Sequence, residues 1–117
     1  MDMTISERRL ADVTILEVRG RVVFFGGAAV LRARIDGLID EGRLKLLLDL
    51  RGVTYMDSFG VGVVAAKYLS VRRKGGDLKL LNPSARSRRV LKTAGLMRIL
   101  DSFESQEDAL RSFQPET

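Results

Sequence analysis

Residues 3–8 (MTISER) and 13–19 (VTILEVR) alternate apolar and polar positions, with Ala11-Asp12 between them. Alternation of this kind predicts two strands with one wet face, joined by a turn into a hairpin. Residues 20–27 (GRVVFFGG) read as an irregular stretch closed by a glycine pair. From Ala28 to about Glu41 the apolar positions Leu31, Ile35, Leu38 and Ile39 keep helical spacing, and Gly42 ends the segment. Residues 44–50 (LKLLLDL) form a short, nearly continuous apolar run, the mark of a strand buried on both faces.

A loop is predicted over Arg51–Asp57, then a helix from about Phe59 to Arg73 carrying Val61, Val64, Ala65 and Tyr68 at i, i+3, i+4, i+7. Lys74-Gly75-Gly76-Asp77 stops it, and Leu78–Leu81 reads as a further strand. Pro83 is expected to open a third helix with a buried stripe of Val90, Leu91 and Ala94, and Gly95 fits its C-terminal cap. Ile99 and Leu100 suggest a short edge strand, and Ser105–Asp108 has capping-box spacing before a last helix with Ala109, Leu110 and Phe113. Strands and helices alternate after Gly20, which predicts an α/β domain: a mixed sheet of four to five strands packed against about four helices.

The 117 residues fit one domain, with a core over about 3–113 and a polar tail at 114–117. There is no His and no Cys, so a structural zinc site, a catalytic thiol and a Ser-His-Asp relay are excluded. No apolar run approaches the ~20 residues that cross a bilayer, and residues 1–20 are too acidic for a signal peptide. A soluble cytoplasmic protein is expected. The net charge of +5 is unevenly placed: residues 66–98 hold ten basic residues and one acid, Asp77. Such a segment serves either as an electrostatic partner surface or as the solvated outer faces of two helices. Tyr68 is its only aromatic, which argues against a nucleic-acid stacking platform, and no direct nucleic-acid binding is expected.

The most informative stretch is LDLRGVTYMDSFGVG, residues 48–62, which delivers Asp57-Ser58-Phe59-Gly60 to the start of an amphipathic helix. Ser58 at or beside the N-cap and Asp57 at the positive end of the helix dipole both have a purely structural reading. The same arrangement suits a phosphate, because a phosphoserine there lies beside free N–H groups while its charge repels a docked partner. Gly60 and Gly62 leave the approach unobstructed.

From Leu48 through Tyr68 the chain resembles the signature of STAS domains, in particular the bacterial anti-sigma factor antagonists (anti-anti-sigma factors). The likeness continues through Gly75-Gly76, Val90-Leu91, Gly95-Leu96, Ile99, Phe103 and Ala109-Leu110. The resemblance implies a STAS-like mixed sheet and a regulatory binding protein rather than an enzyme. It implies that Ser58 is phosphorylated by an ATP-using anti-sigma factor, a serine-protein kinase, which the unphosphorylated chain binds so that the sigma factor is released. Asp57 would shape the docking surface, a phosphatase would reset the switch, and no cofactor would belong to this chain. Phe59 stands where the family usually has a small residue. Where the family often reads Gly-Glu-Leu-Asp, this chain has Gly20-Arg21-Val22-Val23, followed by Phe24-Phe25.

Phe24 and Phe25 have two readings, core residues or, with Phe59, an exposed patch beside Ser58 that marks a partner or self-association surface. The partner-binding set is therefore Asp57, Ser58, Phe59, Gly60, Val61, Val23, Phe24 and Phe25. A soluble STAS subunit of a membrane transporter of the lipid-trafficking ABC type, or a signalling scaffold without a switch, is the alternative reading. An enzyme built on Asp49 and Asp57 lacks a convergent acid, base and oxyanion set, and no Gly-rich phosphate cradle with Lys is present.

Overall fold

The computed structural model describes residues 2–114. In chain order it contains β1 (Met3–Leu10), β2 (Val13–Val22), α1 (Gly27–Asp40), β3 (Lys45–Met56), α2 (Ser58–Arg73), β4 (Asp77–Leu81), α3 (Ala85–Thr93), a 3₁₀ turn (Leu96–Arg98), β5 (Ser102–Phe103) and α4 (Gln106–Ser112). The sheet order is β1-β2-β3-β4-β5, with β1 antiparallel to β2 and every other pair parallel. The hairpin closes through a short turn in which Ala11 takes a positive φ of 55°. The three parallel pairs need crossovers, which α1, α2 and α3 with the 3₁₀ turn supply.

Successive residues of the central strand face opposite layers. Leu46, Leu48 and Leu50 enter a large cluster with Leu31 and Ile35 of α1 and Val64 and Val71 of α2. Leu47 enters a smaller cluster with Val13, Ile15, Leu81, Ala109 and Phe113, which α4 covers. The continuous apolar run of 44–50 is thus a strand buried on both sides.

Four expectations are corrected. Residues 51–56 are not loop but the second half of β3, since the strand runs to Met56. Two irregularities hid it: residues 17 to 19 of β2 pair with 49 to 52 of β3, and 20 to 21 pair with 53 to 55. Each puts one extra residue into β3, so the buried positions Leu50, Val53 and Met56 recur every third residue instead of every second. Pro83 does not open α3; Ser84 is the N-cap, its hydroxyl accepting from the Ser87 amide, and helix begins at Ala85. Ala94 is exposed as the C-cap of α3, and the buried face is Ser87 and Leu91. Ile99 and Leu100 are not a strand but follow the 3₁₀ turn, and the edge strand is Ser102–Phe103.

Gly95 caps α3 with φ 82°, and the Ser105 hydroxyl accepts from the Asp108 amide at the start of α4. The rest of the polar tail, 115–117, lies outside the described residues.

Candidate functional site

The parallel β2 and β3 end side by side, with Val22 opposite Met56, and the chain leaves each toward the same edge of the sheet. After β2 comes the turn holding Val23, Phe24 and Phe25; after β3 comes α2. A crevice beyond the carboxyl ends of parallel strands is where α/β folds place their sites.

Asp57 is the N-cap of α2, which places Ser58 at the first helical position. One Asp57 carboxylate oxygen, Oδ1, accepts from the amides of Phe59 (3.0 Å) and Gly60 (3.1 Å). The other, Oδ2, accepts from the Phe24 amide at 3.0 Å, thirty-three residues away in sequence. A single carboxylate therefore fastens the β2–α1 turn to the start of α2. Its backbone amide also donates to Val22 O at 3.3 Å. Partial burial raises the Asp57 pKa, but the amides of Phe24, Gly60 and Phe59 outweigh it, leaving the carboxyl below its ordinary range. Gly60 is buried against β2, and a methyl there would run into Val22 O and lie 2.8 Å from Met56 Cγ. Gly62 has nothing within 4 Å of such a methyl.

Ser58 is exposed. The core reading of Phe24 and Phe25 is overturned: they are 51% and 88% exposed, and Phe59 is 53% exposed. The Phe24 ring lies 4.3 Å from Phe59 and 4.7 Å edge-on from Phe25, centroid to centroid. The aromatics of the turn thus pack on each other and on Phe59 rather than into the core. Val23 is half-buried, and Val61 packs against the large core cluster. Asp57 and the two turn phenylalanines line a groove with Asp2, Arg21, Val23 and Tyr55. The cross-link from Asp57 to Phe24 was not visible in the sequence, and Tyr55 was hidden inside the segment read as loop.

Asp49 does not join Asp57. It lies in mid-strand, lining a separate groove with Glu17, Arg19 and Arg51, and its Oδ1 accepts from the Arg51 amide at 3.1 Å. Among the described residues no group of three or more His, Cys, Asp or Glu side chains could hold a metal. No helix among the described residues is long and apolar enough to cross a membrane. The basic segment divides: Lys67 bonds Asp36 at 2.6 Å and Lys79 is buried against α4, whereas Arg86, Arg88, Arg89, Lys92 and Arg98 are exposed.

Residues 4–109 match the STAS domain family. The anti-sigma-B factor antagonist of Bacillus subtilis (strain 168) is 37% identical over 84 residues, covering 72% of this chain and 76% of that protein. An anti-sigma factor antagonist from Mycobacterium paratuberculosis has a similar structure, with TM-score 0.84 at 21% identity, covering 97% of this chain and 95% of its own. The Bacillus cell fate determinant SpoIIAA is similar in its unphosphorylated form (TM-score 0.80, 22% identity, 93% of this chain and 95% of that one). Its phosphorylated form is similar too (TM-score 0.75, 22% identity, 95% and 100%). The structural likenesses establish the five-stranded mixed sheet with its helices as the STAS fold. Family match, curated relative and topology agree, and the chain belongs to the STAS-domain family.

Proposed function

We propose that this protein is an anti-sigma factor antagonist that binds an anti-sigma factor kinase while Ser58 is unphosphorylated and leaves it once Ser58 carries a phosphate. Sigma-factor-dependent transcription would then follow the phosphorylation state of one hydroxyl. The observation that carries this reading is the exposed Ser58 at the first position of α2, beside three exposed phenylalanines. Aromatic side chains grouped on a surface supply the apolar centre of a protein interface. A phosphate adds nearly two negative charges at the rim of that centre, where a docked partner would desolvate them. The chain's own fold tolerates the same charge, because it falls at the positive end of a sixteen-residue helix. The names of the relatives point the same way, and SpoIIAA exists in both phosphorylation states.

The partner face is Asp57, Ser58, Phe59 and Gly60 with Val23, Phe24 and Phe25; Val61 supports it from below. Asp57 acts as the positioning residue, holding turn and helix at one spacing. The kinase would bring ATP, this chain would contribute only the accepting hydroxyl, and a phosphatase would restore it. The test is incubation of wild type and Ser58→Ala with the anti-sigma factor encoded in the same genome and ATP. Wild type should take up phosphate and lose affinity, while Ser58→Ala should bind and stay bound. Equal binding of both with no phosphate on either would end the reading.

A further inference from the structure

Tyr55 is 40% exposed near the end of β3, and two guanidinium groups rest against its ring. Arg21 Cζ, from the paired position on β2, lies 5.7 Å from the ring centroid, and Arg86 Cζ, from the first turn of α3, lies 5.2 Å away. Arg19 and Arg51 elsewhere on these strands, and Arg8 on β1, each have a carboxylate within 4 Å. Arg21 and Arg86 have none among the described residues. Asp57, one of the two acids in the groove's lining, has both oxygens engaged by three backbone amides. Asp2 gives its backbone carbonyl to the Arg21 amide at 2.9 Å, not its carboxylate to the guanidinium. Two cations thus rest against one aromatic ring, with no carboxylate within 4 Å of either among the described residues.

We infer that Arg21 and Arg86, seated on Tyr55, form a receptor for the carboxylate side chains of an acidic protein segment, carried by the partner that docks at Ser58. A guanidinium pairs a carboxylate through two parallel N–H bonds, and stacking on a ring fixes its plane in advance. Arg21 and Tyr55 line the same groove as Phe24, Phe25 and Asp57, so the receptor is continuous with the phenylalanine patch. Arg89, one turn beyond Arg86 on α3, extends the positive rim, and residues 85–98 contain no acid. Tyr, Phe and Arg around a groove are the composition of a protein-binding centre, which favours a protein segment over a nucleic acid or lipid surface. The identity of the partner rests on the function proposed above; the receptor itself does not.

The test uses the whole chain without any anti-sigma factor, so its failure would leave the Ser58 reading standing. An oligoglutamate peptide is titrated into isotope-labelled protein while the Tyr55 ring and the Arg21 and Arg86 Nε–H signals are followed, with oligolysine and inorganic phosphate as parallel titrations. Saturable shifts centred on these three residues are expected from oligoglutamate, with none from oligolysine. Arg21→Gln and Arg86→Gln should each weaken binding by about tenfold while unfolding at the wild-type temperature. The inference is overturned if shifts are absent, if they spread evenly over Arg88, Lys92 and Arg98, or if the Gln variants bind like wild type. It is equally overturned if inorganic phosphate produces the same shifts at lower concentration, which would make this a small-anion site.

Discussion

Two glycines two residues apart on α2, and so on nearly opposite faces of the helix, are present for opposite reasons. Gly60 has no room for a side chain beside Val22 and Met56, whereas Gly62 faces open space. Gly60→Ala should therefore destabilise by about 1–3 kcal/mol through overpacking. Gly62→Ala should stabilise by up to about 1 kcal/mol, since it gains helix propensity without a clash. Urea unfolding of both variants measures the contrast. Gly62 lies one turn beyond Ser58, so the stabilised variant should nonetheless bind the partner less well, which calorimetry would show.

Asp57 gives a second prediction at this scale. Its carboxyl titrates below the usual 3.8 because three amides stabilise the anion. The unfolded chain then binds a proton that the folded chain refuses, so Asp57 adds stability above that usual value and loses it as pH falls through the folded value. Asp57→Asn should remove this part of the acid sensitivity, seen as a shallower fall of Tm as the pH drops below the ordinary carboxylate value of 3.8. The Asn variant keeps a capping oxygen but opposes an NH₂ group or a shared oxygen to the Phe24 amide. Its turn should exchange amide hydrogens faster than the wild-type turn.

The elements legible in the sequence are those in which one pattern runs unbroken, the hairpin, α1, the first half of β3, α2 and β4, together with α4, which its capping box at Ser105 announces. Where period and structure part company, a local feature accounts for it. The second half of β3 carries two extra residues, so its apolar positions repeat in threes and imitate a loop. β5 is two residues long, too short for any period to register. Within the candidate site, Ser58 and Asp57 could be placed at a helix start from residue type alone. Exposure of Phe24 and Phe25 could not, because it depends on how far the turn reaches over the sheet.

α4 offers the element-scale prediction. Lys79 is 7% exposed at its side chain and donates to Ser112 O at 3.0 Å and Ser112 Oγ at 2.9 Å, with its ammonium 4.6 Å from the Phe113 ring. It fastens the carbonyl end of the helix to β4. Lys79→Met keeps the apolar stem but leaves these acceptors unpaired, at a cost of about 1–3 kcal/mol. Hydrogen exchange should show faster amides at Ala109–Phe113 while those pairing β2 with β3 stay protected.

For the molecule as a whole, the sheet separates two apolar layers of unequal size. Adjacent residues Ile15 and Leu16 are both fully buried but point into different layers, the smaller and the larger respectively. Truncation of either falls in the range of about 2–5 kcal/mol, with the value set by how far the surroundings can collapse. Leu16→Ala should sit near the top, walled in by α1 and α2, and Ile15→Ala near the bottom, where short α4 can settle inward. Denaturant midpoints at unchanged slope would report the difference.

The carboxylate that joins turn to helix sets a rule for how this surface can diversify. Its two oxygens are a fixed span apart, so an inserted or deleted residue between Val22 and Gly27 would pull the Phe24 amide out of reach and detach the turn. Copies of this gene that acquire new partners should then keep the spacing and exchange the side chains at 24, 25 and 59, so that specificity is rewritten by substitution rather than by changes in length.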